Sequence, residues 1–442
     1  MKEEGRRTII RFSLRGKLIF FFFRRIQLMK TRAFNISKEA VWSAYKRVKA
    51  NRGSAGVDEV SLKEFDKDLK NNLYKLWARM CSGSYMPPPV LLVEIPKKDG
   101  GVRPLGIPTV SDRIAQTVVK QALETDLDKL FHEDSYGYRP GKSAIDAIGK
   151  CRSRCWQYNW VVDLDIKGFF NNIPHDLLLK ALERHTSVRW HLLYIKRWLS
   201  APVQQKDGSL HTSEKGTPQG AVVSPLLANL FLHYCMDKWL TLNYPKCPFE
   251  RYADDAVIHC RTETEAKSLM ESLSQRLKDC GLELHPEKTK VVYCKDGKRK
   301  GDYEIKSFDF LGYGFQPRLC RSKTGMSFVS FTPAISKKSQ KHILEKVRES
   351  KQLQQSQSDL VSIAEELNPK LRGWINYYGK YRKSKLDQIL SLVDIRIARW
   401  ARKKYKKLHG SIQMSLKWVG KVKKSMPNLF VHWRVKPCTT SG

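Results

Sequence analysis

The spacing of apolar residues predicts helices and strands along the first part of the chain. After Ser37, Ala, Val, Trp and Tyr recur at helical spacing as far as Gly53, which predicts a helix capped by Ser37. Two apolar runs flank the Asp-Gly-Gly sequence at 99–101, which is a hairpin signal. Residues 111–131 are again helical in pattern. The chain therefore mixes helices with antiparallel strands from its start.

Two later strands carry acidic residues. WVVDLDI predicts a strand that places Asp163 and Asp165 on one face, and PFERYADDAVIHC predicts strand, turn and strand around Asp254 and Asp255. Asp is depleted in strands, and neighbouring carboxylates repel one another. These positions therefore predict that a cation binds there.

The order of elements predicts an α+β fold. A helix over TEAKSLMESLSQRLKDC is closed by Gly281 and followed by another strand. The order along the chain is strand, helices, hairpin, helix and strand. This order predicts an antiparallel sheet with helices covering one face. Beyond residue 333 the pattern is helical.

Length and charge narrow the class of protein. The chain has 442 residues, too many for one core, and a formal net charge of +37 with pI near 9.8. Residues 333–442 hold 25 Lys and Arg against 7 Asp and Glu, with Trp residues among them. The excess of basic charge predicts a nucleic-acid partner, and the alternative is a generally soluble basic surface. Each Trp could stack on bases, but core packing is the more common role of a single Trp. Scattered Cys predict buried, reduced thiols. Residues 1–33 have an apolar run that is too short to span a membrane, and Met29 is a second possible start.

Converging carboxylates would form a site of hard oxygen ligands. If the strands of Asp165 and of Asp254 and Asp255 are neighbours, the cluster suits two Mg²⁺ ions. Two such ions can clamp the attacking and leaving oxygens of a phosphoryl displacement.

Five blocks in order resemble the palm of reverse transcriptases: DIKGFFNNIPH, GTPQGAVVSPLLANLFL, YADD, HPEKTKVV and FDFLGYGF. IPKKDGGVRPLGIPTVSDR and DSYGYRPGKSAIDAI resemble the family's fingers. LNPKLRGWINYYGKYRKSKL and PNLFVHWRV resemble the maturase region, or domain X, of group II intron-encoded proteins. One departure is Asn171, where related proteins often have Asp.

The resemblance implies roles for individual residues. Metal ligands and catalytic groups would be Asp165, Asp254 and Asp255, with Ile166 as a further metal ligand. Asp163 precedes the motif and would lie next to these ligands without binding the metal, or be partly solvated. Contacts to dNTP and template are expected from Lys97, Arg103, Phe170, Gln219, Gly220 and Lys288. Lys97 and Arg103 are alternatively solvated hairpin charges, Phe170 is alternatively a core residue, and Lys290 competes with Lys288 as proton donor. Arg372, Trp374 and Tyr377 either contact intron RNA or pack in the core.

The resemblance also implies an organisation and a function. We expect a right-hand polymerase, with its domains at 1–34 (a basic extension without regular structure), 35–160 (fingers), 161–325 (palm) and 326–442 (helical thumb, or domain X). The expected function is RNA-directed DNA synthesis encoded by a group II intron, with assistance to splicing.

The expected partners are intron RNA, a DNA target or primer and dNTPs, with no membrane. The oligomeric state is open and includes a dimer. The setting is a cytoplasmic or nucleoid-associated ribonucleoprotein, and no endonuclease is expected. The alternatives are a splicing-only maturase and a domesticated or defence-type reverse transcriptase without an intron.

Overall fold

The computed structural model describes residues 34–96, 101–322 and 324–434. The predicted basic extension and Lys97 therefore lie outside the described residues, apart from Phe34. Contacts group the described residues into two compact units. One unit holds those up to residue 131 together with 168–234, and the other holds 132–167 together with those from residue 235 onward.

The regular elements follow one another in chain order. Up to residue 232 they are α1 (Lys38–Ala50), α2 (Leu62–Lys67), α3 (Leu69–Ser82), β1 (Val90–Pro96), β2 (Val102–Ile107), α4 (Val110–Asp128), α5 (Ala144–Cys155), β3 (Trp160–Leu164), α6 (Phe169–Asn172), α7 (His175–Glu183), α8 (Arg189–Leu199), β4 (Val203–Gln204), β5 (Leu210–His211) and α9 (Ser224–Leu232). From residue 233 they are a π-helical turn (His233–Asp237), α10 (Lys238–Asn243), β6 (Phe249–Tyr252), β7 (Asp255–Cys260), α11 (Glu263–Asp279), β8 (Lys290–Tyr293), β9 (Phe308–Phe310), β10 (Tyr313–Arg321), β11 (Ser327–Ile335), α12 (Lys337–Arg348), α13 (Lys351–Gln354), α14 (Leu360–Tyr378), α15 (Lys383–Lys404), a 3-10 turn (Lys406–Leu408), α16 (Ile412–Ser425) and a second 3-10 turn (Val431–Arg434).

The first unit packs helices beside a small sheet. The side chain of Ser37 accepts a hydrogen bond from Ala40 N and caps α1, as its sequence predicts. β1 and β2 form the predicted hairpin within a sheet of order β2-β1-β4-β5. Asp112 on α4 is buried and accepts hydrogen bonds from Tyr85 and Trp198, at 2.8 and 2.7 Å. This buried acceptor joins α4 to α8 and to the loop between α3 and β1.

The second unit is built on an antiparallel sheet of order β6-β7-β3-β8. Val161, Val162 and Leu164 on β3 are 0%, 0% and 3% exposed. Successive strand residues point to opposite faces, so this sheet is covered on both sides. The expected antiparallel sheet with helices packed on it is confirmed, and the sequence did not predict that a second sheet packs there as well. Aromatic residues of β9 and β10 lie in the same core cluster as Val161 and α5.

The second sheet and the last helices complete this unit. β9, β10 and β11 form an antiparallel sheet of order β11-β10-β9. α14, α15 and α16 share an apolar core closed by Phe430 and Trp433. Among the described residues, no helix combines the length and the apolar character that crossing a bilayer requires. Each cysteine in the described ranges is a free thiol.

Candidate active site

The Tyr-Ala-Asp-Asp sequence forms the turn of a tight β-hairpin. β6 pairs with β7 so that Tyr252 lies opposite Asp255, which leaves Ala253 and Asp254 as a two-residue turn. Ala253 has a φ of +57°, in the left-handed region that glycine usually occupies in such turns. The hairpin therefore presents two adjacent carboxylates at one end of the sheet.

β3 brings Asp165 to the same end of the sheet. β3 is antiparallel to β7 with Leu164 opposite Ala256, and this register continues to place Asp165 across from Asp255. Ile166, the next residue, forms a β-bridge with the segment before β8. The two acidic segments therefore lie on neighbouring strands, which is the condition that the sequence analysis set for a shared metal site.

Two carboxyl groups of this cluster are hard to ionise. Burial, followed by the charges of Asp254 and Asp165, raises the pKa of Asp255 to about 7. Burial, followed by the charge of Asp255, raises the pKa of Asp163 to about 8. The Asp255 residue is itself exposed to solvent, and the negative charges beside it disfavour a further negative charge on its carboxyl group. A bound cation would offset this repulsion.

An open pocket of about 460 Å³ lies over the carboxylates. It is lined by Asp163, Leu164, Asp165, Asp255, Lys288, Lys290, Ser307, Phe308, Asp309 and Lys338. Lys288 Nζ lies 3.2 Å from Asp165 Oδ2, and both side chains are partly exposed. The pocket therefore combines anionic groups for a metal with lysines that suit phosphate oxygens.

Sequence reasoning missed two charged residues of this pocket. Asp309 lies on β9, and burial raises the pKa of its carboxyl group. Lys338 lies in the first turn of α12, and its charge acts on both Asp309 and Asp255. Asp309 interrupts an aromatic strand, which is a signal that the sequence offered. Lys338 had no such signal among its many lysine neighbours.

The predicted substrate residues of the first unit form a second group. Thr217 N–H donates to the Phe170 carbonyl at 2.7 Å, which holds the Pro-Gln-Gly motif beside α6. Gly220 has a φ of +110°, and a Cβ there would lie 2.4 Å from the Gly106 carbonyl oxygen. Gln219 is half-buried and Phe170 is partly exposed. The structure thus brings Phe170, Gln219 and Gly220 into one neighbourhood with β2.

Arg103 lies on β2 opposite Ile95, and its side chain is exposed. Lys97, the other residue predicted to bind the triphosphate, lies outside the described residues. The choice between a triphosphate contact and a solvated hairpin charge therefore stays a prediction.

The three predicted RNA contacts differ in their surroundings. Arg372 is exposed on α14. Trp374 packs against two core clusters, and the Tyr377 hydroxyl donates to the Leu311 carbonyl at 2.7 Å. These contacts favour the packing alternative for Trp374 and Tyr377, and leave Arg372 available to solvent.

The donor set fits hard divalent cations. Every carboxylate of the cluster offers oxygen, and among the residues that the structure describes, neither Cys nor His lines the pocket. Oxygen ligands favour Mg²⁺ or Mn²⁺ over softer metals.

Family comparisons agree with this geometry. Residues 95–315 match the family Reverse transcriptase (RNA-dependent DNA polymerase). Residues 340–418 match the Group II intron, maturase-specific domain. The first match covers half of the chain. The chain belongs to the reverse transcriptase family, with a group II intron maturase-specific domain following the polymerase region. Enzymes of this family use divalent metal ions.

Individual relatives span different shares of their own length. Protein YkfC of Escherichia coli is 30% identical over 61% of this chain and 76% of its own. The group II intron-encoded protein LtrA of Lactococcus lactis is 31% identical over 58% of this chain and 41% of its own. The putative COX1/OXI3 intron 1 protein of Saccharomyces cerevisiae is 32% identical over 45% and 23%, respectively. The chain thus spans less than half of the last two relatives. Telomerase from Candida albicans is a distant structural likeness, with 14% identity and a TM-score of 0.44 over 83% of this chain and 66% of its own.

Proposed function

We propose that this chain is an RNA-directed DNA polymerase encoded by a group II intron, which also binds the intron RNA to assist its splicing. The polymerase copies that RNA into DNA for intron mobility. The observation that carries the proposal is the convergence of Asp165, Asp254 and Asp255 on one end of an antiparallel sheet. The family match over half of the chain supports it.

The proposed cofactor is a pair of Mg²⁺ ions. Asp165, Asp254, Asp255 and the Ile166 carbonyl would hold them, since all four offer hard oxygen ligands. When bound, the ions activate a primer 3′-hydroxyl and neutralise the charge of the leaving pyrophosphate.

The chain's own residues bind and orient the nucleotide. Phe170 opposes a ribose 2′-hydroxyl and so favours dNTPs. Gln219 hydrogen-bonds the template or the nucleotide. Gly220 has no side chain and lets the backbone come close to the substrate. Lys97 and Arg103 bind the triphosphate. Lys288 donates a proton to pyrophosphate, and the 3.2 Å contact of its ammonium with Asp165 supports this position.

The proposed domains are fingers (35–160), palm (161–325) and thumb (326–442). The contact-based units follow different boundaries, since residues 132–160 group with the strands of the proposed palm. Of the three predicted RNA contacts of the thumb, Arg372 is the one proposed to bind intron RNA, because it is exposed, whereas Trp374 and Tyr377 pack against the core. The working form is a ribonucleoprotein with a DNA primer, in the cytoplasm or at the nucleoid, as a monomer or a dimer.

The test is primer extension on an RNA template with Mg²⁺ and dNTPs, combined with splicing of the intron RNA from the coding locus. The Asp254→Asn/Asp255→Asn double variant should lose extension by at least about 10³-fold, because the metal ligands are gone, while splicing persists.

The matched control is Glu271→Gln/Asp279→Asn, which removes the same charge from two exposed positions of α11. It should extend primers like the unaltered protein. Absence of extension by the unaltered protein with splicing intact would overturn the polymerase proposal and leave a maturase. Extension without any binding of intron RNA would point instead to a reverse transcriptase without an intron partner.

A further inference from the structure

A fully buried arginine lies directly before the catalytic turn. Arg251 Nε and Nη2 donate to the two carboxylate oxygens of Asp237 at 2.7 and 2.6 Å, and both side chains are 0% exposed. Nη2 also donates to Ser135 Oγ at 2.9 Å. Nη1 donates to the Ala253 carbonyl at 3.0 Å. One guanidinium therefore joins the π-helical turn, the segment after α4 and the first central residue of the turn.

The same segment also confines the turn through its backbone. Arg251 N–H donates to the Asp134 carbonyl at 2.9 Å, and Tyr136 N–H donates to the Arg251 carbonyl at 2.8 Å. This pairing brings Gly137 against the turn, where a Cβ would lie 2.4 Å from Ala253 N. Any side chain at 137 would push on the turn, so this approach requires glycine.

The turn needs such support because its backbone is unfavourable. Ala253 occupies the left-handed region, which a residue with a Cβ rarely adopts. Strained conformations at functional sites persist when the surrounding structure over-determines them. A charged donor makes a stronger hydrogen bond to a carbonyl than a neutral one. The planar guanidinium can also bond Asp237 and Ala253 at once, which a lysine ammonium cannot do with the same geometry.

We infer that Arg251, held by Asp237, and Gly137 are positioning residues that fix the Tyr252–Asp255 turn and thereby the spacing of Asp254 and Asp255. They contact neither substrate nor metal. Their effect reaches the reaction through the two carboxylates alone. The inference rests on the proposed polymerase function, because that function gives the turn its catalytic role.

The first test compares two buried arginines that contact the same strand, Arg251 on β6 itself and Arg154 on α5. Arg154 is mostly buried and bonds Asp134, Glu250 and the Phe249 carbonyl, none of which lies in the turn. Arg251→Lys should lower kcat for nucleotide addition by about 10²-fold, the cost of a misplacement near 1 Å. KM for the dNTP should stay nearly constant, and the Mg²⁺ concentration for half-maximal extension should rise severalfold. Arg154→Lys should leave this Mg²⁺ concentration unchanged.

A second pair of variants leaves the buried ion pair intact. Gly137→Ala places a methyl group against Ala253 N and should reproduce the rise in Mg²⁺ requirement and the fall in kcat. Gly420→Ala on α16 places a methyl group in open space and should change neither. Thermal unfolding and RNA affinity are measured for all four variants, so that a general loss of folding is recognised.

Two results would overturn the inference. One is that Arg251→Lys and Arg154→Lys lose activity in proportion to their loss of thermal stability, with the same Mg²⁺ requirement. The other is that Gly137→Ala is as active as Gly420→Ala. If the unaltered protein does not extend primers, the proposed function fails, and Mn²⁺ binding to the free protein, followed by electron paramagnetic resonance, tests the positioning role. Equal Mn²⁺ affinity in Arg251→Lys and the unaltered protein would then reject it.

Discussion

Neighbouring residues in this chain have sharply different surroundings, and Phe169 and Phe170 are the clearest pair. Phe169 is 2% exposed and belongs to the core, whereas Phe170 is partly exposed and its carbonyl holds Thr217. Their rings contact each other edge to face at 5.2 Å. One ring therefore supports the position of the other, and the ring of Phe170 is the one that solvent reaches.

Phe170→Val should increase the use of ribonucleotides, because a shorter side chain leaves room for a 2′-hydroxyl. The ratio of kcat/KM for dNTP and NTP is the quantity to measure, and it should fall by about 10-fold or more, which is the range of small steric discriminations. Phe169→Val is the matched control. It should lower the free energy of unfolding by about 1–3 kcal/mol because it leaves a cavity in the core. The ratio of kcat/KM for dNTP and NTP should stay unchanged. A constant ratio in Phe170→Val would support the core-packing alternative for this residue.

At the scale of elements, α14 is joined to the second sheet by tyrosines. Tyr377 and Tyr313 rings lie 5.7 Å apart, the Tyr313 hydroxyl donates to the Tyr377 carbonyl, and the Tyr377 hydroxyl donates to the Leu311 carbonyl. Because these contacts use both the ring and the hydroxyl group of Tyr377, they hold α14 against the loop that joins β9 to β10.

Tyr377→Phe and Arg372→Ala should therefore separate stability from RNA binding. Tyr377→Phe removes one hydrogen bond and should lower the free energy of unfolding by about 1 kcal/mol, with intron RNA affinity unchanged. Arg372→Ala should weaken RNA binding about 5- to 10-fold through loss of one phosphate contact, with the unfolding midpoint unchanged. Urea unfolding measures the free energy of unfolding, and filter binding measures the affinity for RNA. If Tyr377→Phe weakened RNA binding and Arg372→Ala lowered the free energy of unfolding, Tyr377 would be the RNA contact.

At the scale of the whole molecule, the excess of positive charge decides what the surface can bind. The net charge is +37, and residues 333–442 contribute about half of it in a quarter of the length. Exposed lysines of α16 include Lys421 and Lys424. A surface of this kind gains affinity for RNA mainly by releasing counterions from phosphates.

Affinity for intron RNA should fall at least about 10³-fold between 50 and 200 mM salt, as expected for six or more phosphate contacts. Lys421→Gln/Lys424→Gln should reduce the slope of log affinity against log salt by about 1 to 2. Lys267→Gln/Lys278→Gln on α11 removes the same charge elsewhere and should leave the slope unchanged. Equal slopes in all three proteins would exclude α16 from the RNA-binding surface.

The sequence by itself determined the elements and the acidic pattern of this protein. Strand and helix periods are local properties, so β3, the β1–β2 hairpin, the β6–β7 hairpin and the cap at Ser37 follow from neighbouring residues. The positions of Asp165, Asp254 and Asp255 at the ends of those strands already predicted a metal site. The strand order that makes them neighbours agrees with that prediction.

Only the tertiary structure decided how the site is supported. Arg251 is paired with Asp237, and a glycine more than a hundred positions earlier lies against the turn that follows Arg251. Lys338 reaches the carboxylate pocket from the first turn of α12, and a second sheet covers the face that the pattern left open. These contacts join residues far apart in the chain, and such contacts leave no periodic trace because only the folded backbone brings their partners together.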